Sequence, residues 1–78
     1  MNQEEIISKV NQLQSEYNDL ESQINELADE QEAIFYGRIK VANRDSELNR
    51  LYKQESDLKF KKNEKRKELN YYKNLREE

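Results

Sequence analysis

Cysteine, histidine, proline and tryptophan are all absent from this 78-residue chain, and glycine occurs once, at Gly37. Each absence removes a class of structure or chemistry. Without cysteine there is no disulfide framework, and without cysteine or histidine the usual zinc spacings cannot be assembled. Nucleophilic and general-base catalysis lose their commonest side chains, and one glycine cannot supply a phosphate-cradling loop. Long apolar runs are missing too. The longest is Ala33–Tyr36, far short of the roughly 20 residues a membrane span needs. Met1 is followed by Asn, Gln, Glu and Glu, whereas a signal peptide begins with a basic patch and an apolar stretch. The expectation is a soluble, cytoplasmic, non-enzymatic protein. The same expectation includes no catalytic residues, no metal site, no cofactor and no membrane association.

What is present is helix-forming and charged. Apolar residues make up 33% and charged residues 40%, too polar for a globule with a thick core. Glu, Gln, Lys, Arg and Leu dominate, and with proline absent the strong helix breakers are almost gone. Such a composition belongs to long helices or coiled coils. The charge is split along the chain. Residues 1–37 carry nine acids and one base, Lys9, whereas residues 38–78 carry thirteen bases and eight acids. A −8 half and a +5 half favour an antiparallel arrangement of one against the other.

A heptad stripe runs under the charge. In the first half it comprises Ile6, Val10, Leu13, Tyr17, Leu20, Ile24, Leu27 and Ile34, alternating steps of four and three with Gln31 the sole polar member. That seam is a specific signal for helix-on-helix packing. The second half is weaker. Leu48, Leu51, Leu58, Leu69 and Tyr72 fit the seam, but Glu55, Lys62 and Lys65 fall on it as well. Between the halves the phase changes, and one straight coiled coil would need a strained overwinding there. A turn removes the difficulty.

Gly37 can end a helix in the left-handed conformation, and Asp45 and Ser46 are good N-cap residues. The reading is one domain over residues 1–78: a helix over 3–36, a connector over 37–45 and a helix over 46–76. The fold class is all-α, an antiparallel helical hairpin of coiled-coil type that dimerises into a four-helix bundle. The alternative is a single long helix in an antiparallel dimer, which places Gly37 inside a helix at a cost of about 1 kcal/mol relative to alanine. Pairing residues whose numbers sum to 82 sets Ile34 on Leu48, Ile24 on Leu58, Leu13 on Leu69 and Val10 on Tyr72. It leaves Leu20 opposite Lys62 and Leu27 opposite Glu55. A register summing to 75 would put Lys62 and Lys65 on Leu13 and Val10, which is worse.

Small chains of this kind need a staple or a partner. Self-association is the remaining route, and Phe35, Ile39, Tyr52, Phe60, Tyr71 and Leu75 lie off the first seam as a second strip for another subunit. Near the connector, Phe35, Tyr36, Ile39 and Val41 gather apolar area of the kind that anchors protein partners.

Two further features carry candidate chemistry. Lys59, Lys61, Lys62, Lys65, Arg66 and Lys67 form a basic run that grips nucleic-acid phosphates in one reading. In the other it neutralises Glu16, Asp19, Glu21 and Glu26 of the facing arm. The acidic arm reads as a solvated face or, alternatively, as a nucleic-acid mimic that inhibits a nucleic-acid-processing enzyme. Glu26, Asp29, Glu30 and Glu32 have the helical spacing of a carboxylate metal site but lack the histidines that diiron bundles add.

Phe35-Tyr36-Gly37 resembles the W-x-G turn of the small secreted helical-hairpin family named for that motif. The tryptophan is missing, and the C-terminal Tyr-x-x-x-acid pattern is not met, since Tyr71 faces Leu75 and Tyr72 faces Arg76. The chain is not assigned to that family. The functional expectation is an interaction module: a homo-oligomeric adaptor, scaffold or small inhibitor that binds another protein. A nucleic-acid-binding regulator is the alternative.

Overall fold

An asparagine begins each helix. In the computed structural model, which describes residues 2–77, the first helix, α1, spans Gln3–Phe35 and the second, α2, spans Arg44–Glu77. Met1 and Glu78, the ends of the expected single domain, lie outside the described residues. Asn2 Oδ1 accepts the Glu5 amide at 2.8 Å, and its Nδ2 donates back to Glu5 Oε1 at 3.3 Å. This is a reciprocal cap that satisfies helix-end groups with side chains. Glu4 and Glu5 in the first turn complement the helix dipole.

The second helix starts earlier than the expected 46. Asn43 Oδ1 accepts the Ser46 amide at 3.1 Å, so Asn43 takes the capping role that the sequence reading gave to Asp45 or Ser46. Both residue types cap well. The choice between adjacent candidates is made by the chain's exit from the turn, which the sequence pattern does not encode.

Gly37 is the hinge of the turn. Its φ is +74°, the left-handed region that favours glycine. Its amide donates to the Ile34 carbonyl at 3.1 Å, and the Arg38 amide reaches the Ala33 carbonyl at 2.8 Å. These two bonds are the Schellman closure of a helix C-terminus. A Cβ added at Gly37 would meet nothing within 4 Å, so a substitution there is opposed by backbone conformation alone. Gly37→Ala is expected to cost about 1 kcal/mol, read as a lower urea midpoint with an unchanged slope. An alanine variant as stable as the parent would show that the turn tolerates another backbone path.

The chain folds back on itself as a two-helix hairpin of 54 × 16 × 13 Å, so the single unbroken helix is not the arrangement found. Its core is thin and divides in two. At the open end Ile6, Val10, Leu13 and Leu69 are buried, with Tyr72 and Leu75 packed against them. At the turn end Ile34, Leu48 and Leu51 are buried, with Leu27 and Val41 against them. Ile24 is buried between the two clusters. Tyr17, Leu20 and Leu58, also on the seam, are half-buried.

The cross-helix contacts follow the register summing to 82 and not the one summing to 75. Lys65 meets Glu16, Lys62 meets Glu21, and Lys9 lies over Tyr72. Among the described residues no helix is long and apolar enough to cross a membrane.

Candidate interaction site

The seam lysines show how a polar side chain survives on an apolar stripe. Lys62, level with Leu20, does not bury its ammonium. The stem turns outward, and Nζ lies 3.9 Å from Glu21 Oε1 and 5.2 Å from the Tyr17 ring centre. Snorkelling of this kind keeps the charge wet while the methylenes cover the seam. Lys65 Nζ sits 2.5 Å from Glu16 Oε2, an oxygen otherwise closed off from solvent and from other donors. Glu55 was expected to face Leu27. It also finds a partner one turn away, where Gln31 Nε2 donates to Glu55 Oε2 at 2.7 Å across the helices, and Lys59 pairs with its other oxygen at 2.8 Å.

These partners shift titrations in one direction. The Lys65 ammonium, with the Gln12 amide behind it, holds the Glu16 carboxyl below its ordinary value of 4.5, and Glu16 in turn raises Lys65 above 10.5. Lys59 first, and Gln31 after it, lower Glu55, while Arg50 lowers Glu47. A carboxyl lowered on folding stabilises the fold above its unfolded pKa and loses that contribution as pH falls through its folded value. A lysine raised on folding stabilises below its unfolded pKa and loses that contribution as pH rises through its folded one. The melting temperature is therefore expected to be flat between about pH 6 and 9. It should decline below about 4.5 as these carboxyls protonate and again above about 10.5. Glu16→Gln should shallow the acid limb in circular-dichroism melts. An acid limb identical to the parent's would mean that the Glu16–Lys65 pair contributes nothing.

The basic run is thus distributed among intrachain partners. Besides Lys59, Lys62 and Lys65, Lys67 pairs with Glu64 at 3.3 Å, and Arg66 donates to Asn63 at 2.8 Å. Of the acidic residues expected opposite the run, Glu16 and Glu21 form ion pairs across the helices. Asp19 and Glu26 form none among the described residues. Lys61 is exposed and lines the same groove as Phe60 and Lys65.

Comparison with protein-family models, with curated proteins and with solved structures finds no match. The surfaces are accordingly interpreted from their own chemistry, and two stand out.

The first is the connector tip. Phe35, Tyr36 and Ile39 are 55%, 66% and 45% exposed. The two rings meet edge to face at 5.2 Å, with Arg38 stacked over Tyr36 and Arg44 over Phe35, both within 6 Å. Between Glu32 and Asp45 there are three bases, Arg38, Lys40 and Arg44, and no acid. Val41, grouped with these residues on sequence grounds, is half-buried on the Ile34–Leu48–Leu51 cluster. It closes the end of the core, because the turn directs it inward while Ile39 points out.

The second surface is a face along the middle of the rod. Two shallow grooves of 440 and 390 Å³ adjoin there, and Gln23 and Lys61 border both. The α1 wall carries Glu16, Asp19, Glu26 and Glu30 with no base. The α2 wall balances Lys61 and Lys65 against Asp57 and Glu64. The floor is Leu20, Leu27 and Leu58, the seam leucines that the hairpin leaves half-covered. Sequence reasoning treated these three as ordinary core. For Leu20 and Leu27 the signal was the polar residue opposite, Lys62 and Glu55, which leaves too little apolar mass to close the seam there; Leu58, paired with Ile24, carried no such signal.

The expected second strip is not continuous. Tyr52 and Phe60 are exposed, but eight residues separate them, about 80° around a helix. Leu75 belongs to the open-end core, because the last turn of α2 packs it against the Ile6–Val10–Leu13–Leu69 cluster. Ile7, 42% exposed beside the seam, was not anticipated. Glu26, Asp29, Glu30 and Glu32 do not converge on one point, and no metal-holding group of three occurs among the described residues.

Proposed function

We propose that this chain is a non-enzymatic protein–protein interaction module, an adaptor, scaffold or small inhibitor. It works as a self-associating helical hairpin that presents its connector to another protein. The observation that carries this reading is the tip. An aromatic pair more than half exposed on both members is held by a glycine-closed turn and stacked arginines. Aromatics and arginine are the side chains that most often dominate binding energy at interfaces. The Schellman closure limits the conformational freedom the tip must lose on binding, which raises affinity per contact.

The nucleic-acid reading has less support. Most cations of Lys59–Lys67 are engaged inside the chain, and neutralised cations release fewer counterions from phosphate. A gel shift with mixed RNA and DNA at low salt tests it, with loss of the shift in Lys61→Glu/Lys65→Glu as the positive result.

The test of the main reading is capture from the host with the intact chain and with Phe35→Ser/Tyr36→Ser/Ile39→Ser, helicity being checked in both. A protein bound by the parent and lost by the variant is the expected result. A bound protein indifferent to the substitutions, or no specific protein at all, would overturn it.

A further inference from the structure

The hairpin exposes 5899 Å², whereas a compact monomer of 9.5 kDa exposes about 5,050 Å² by the usual surface-to-mass scaling. The excess of about 850 Å² is close to the roughly 800 Å² that each partner contributes to a standard stable interface. Part of the uncovered apolar area lies on one face, where the half-buried Leu20, Leu27 and Leu58 form the floor of the double groove and exposed Phe60 stands at its rim. From this geometry we infer that the occupant of this face is a second copy of the chain. The copy is related by a two-fold axis parallel to the long axis of the rod, so that both connector tips lie at the same end. The inference rests on the self-associating module proposed above and specifies its partner and its symmetry.

Charge selects the axis. Two copies that bury the same face can be related by a two-fold axis either along the rod or across it. An axis across the rod stacks α1 on α1, setting four carboxylates against four with no base between them, which like-charge repulsion disfavours. An axis along the rod stacks α1 of one copy on α2 of the other. The acidic wall then meets the wall on which Lys61 and Lys65 balance Asp57 and Glu64, so carboxylates no longer face carboxylates alone. All neighbouring helices run antiparallel, as in an up-down four-helix bundle.

The packing agrees with this choice. A two-fold axis along the rod preserves height, so the intrachain register also governs the contact between copies. Leu58 of the copy comes level with Ile24, midway between Leu20 and Leu27, which is the position of a knob above a hole. Lys61 of the copy comes level with Glu21, between Asp19 and Gln23 on the acidic wall. The two tips would then form one composite surface with six bases and two aromatic pairs.

The test uses the whole chain, which has no cysteine and so accepts a single spin label at exposed Lys40→Cys. Sedimentation should give twice the chain mass, and dipolar spectroscopy a label separation within about 30 Å, set by interaxial distances of 8–10 Å. Lys61→Glu should weaken the dimer roughly tenfold by placing a carboxylate on the acidic wall, with helicity unchanged. A dimer with labels near the 54 Å rod length, or one indifferent to Lys61→Glu, overturns the inference while leaving self-association intact. A monomer at high protein concentration overturns both.

Discussion

Leu51→Ala should leave the chain largely unfolded at 25 °C, with the helical signal at 222 nm mostly lost. Leu51 is 1% exposed and forms, with Ile34 and Leu48, the only fully closed apolar packing at the turn end among the described residues. Truncating a buried leucine removes transfer free energy and leaves a cavity, together about 2–5 kcal/mol. A two-helix core cannot absorb that loss, since small domains retain only a few kcal/mol of net stability. The turn end is also where the loop closes most cheaply, so losing its cluster removes the contacts that make the rest of the zipper local.

Leu13→Ala, at an equally buried position of the open end, should act differently. Hydrogen exchange should quicken first near both termini, while the turn-end amides retain protection, because local unfolding releases the weaker unit before the stronger. Tyr52→Ala, next in sequence to Leu51 but 53% exposed, is the control and should change stability by less than about 0.5 kcal/mol. If Leu51→Ala and Tyr52→Ala melted alike in urea, the turn-end cluster would not be what holds the helices together.

The contrast between Leu51 and Tyr52 also shows how far the sequence could be read. The first-half stripe from Ile6 to Ile34 identified the buried face of α1, because a 3.5-residue repeat permits only one such face. Gly37 marked the turn because no other residue in the chain adopts φ +74° at low cost. Pairing leucine with leucine while keeping Lys62 off Leu13 and Lys65 off Val10 selected the register that Lys62 and Lys65 then follow.

The sequence was less informative wherever a side chain has two ways to be satisfied. Val41 and Ile39 are both β-branched and two residues apart, and only the path of the turn decides which points inward. Leu20, Leu27 and Leu58 obey the heptad yet remain half-covered, because coverage depends on the size of the neighbour opposite. Asn43 displaced Asp45 as the cap because capping depends on backbone angles two residues away. The leucine-floored groove lies in this second class, whereas the exposed tip was legible, since Phe35, Tyr36 and Ile39 lie off the seam beside Gly37.

Replacing the half-buried polar bridge with leucine, in Gln31→Leu/Glu55→Leu, should make the hairpin more stable and less unique. Gln31 and Glu55 are both half-buried on the seam, joined at 2.7 Å. Removing Gln31 alone strips a charged oxygen of one donor and should cost about 1–2 kcal/mol. Lys59 still holds the other oxygen, which keeps the penalty at that level. Removing both partners eliminates the desolvation cost altogether, and buried polar pairs replaced by apolar residues of similar volume often gain about 1–4 kcal/mol. The double variant should therefore exceed the parent in urea midpoint, and a double-mutant cycle should show coupling of opposite sign to the Gln31 single.

The gain carries a structural consequence. Besides the Lys65–Glu16 and Lys62–Glu21 ion pairs, the bridge is the polar side-chain contact that joins the two helices among the described residues, and a single polar contact on an apolar seam is a recognised device for setting register. Without it, a seam of leucines accepts a slide by one heptad more readily, opposed only by Lys62 and Lys65 meeting Leu13 and Val10. The parent should give one backbone amide resonance per residue, whereas the double variant should show doubled resonances around residues 24–34 and 48–58. A double variant less stable than either single would show that the pair is a net contributor to folding energy. One that is more stable yet keeps a single set of resonances would place the control of register in Lys62 and Lys65 instead.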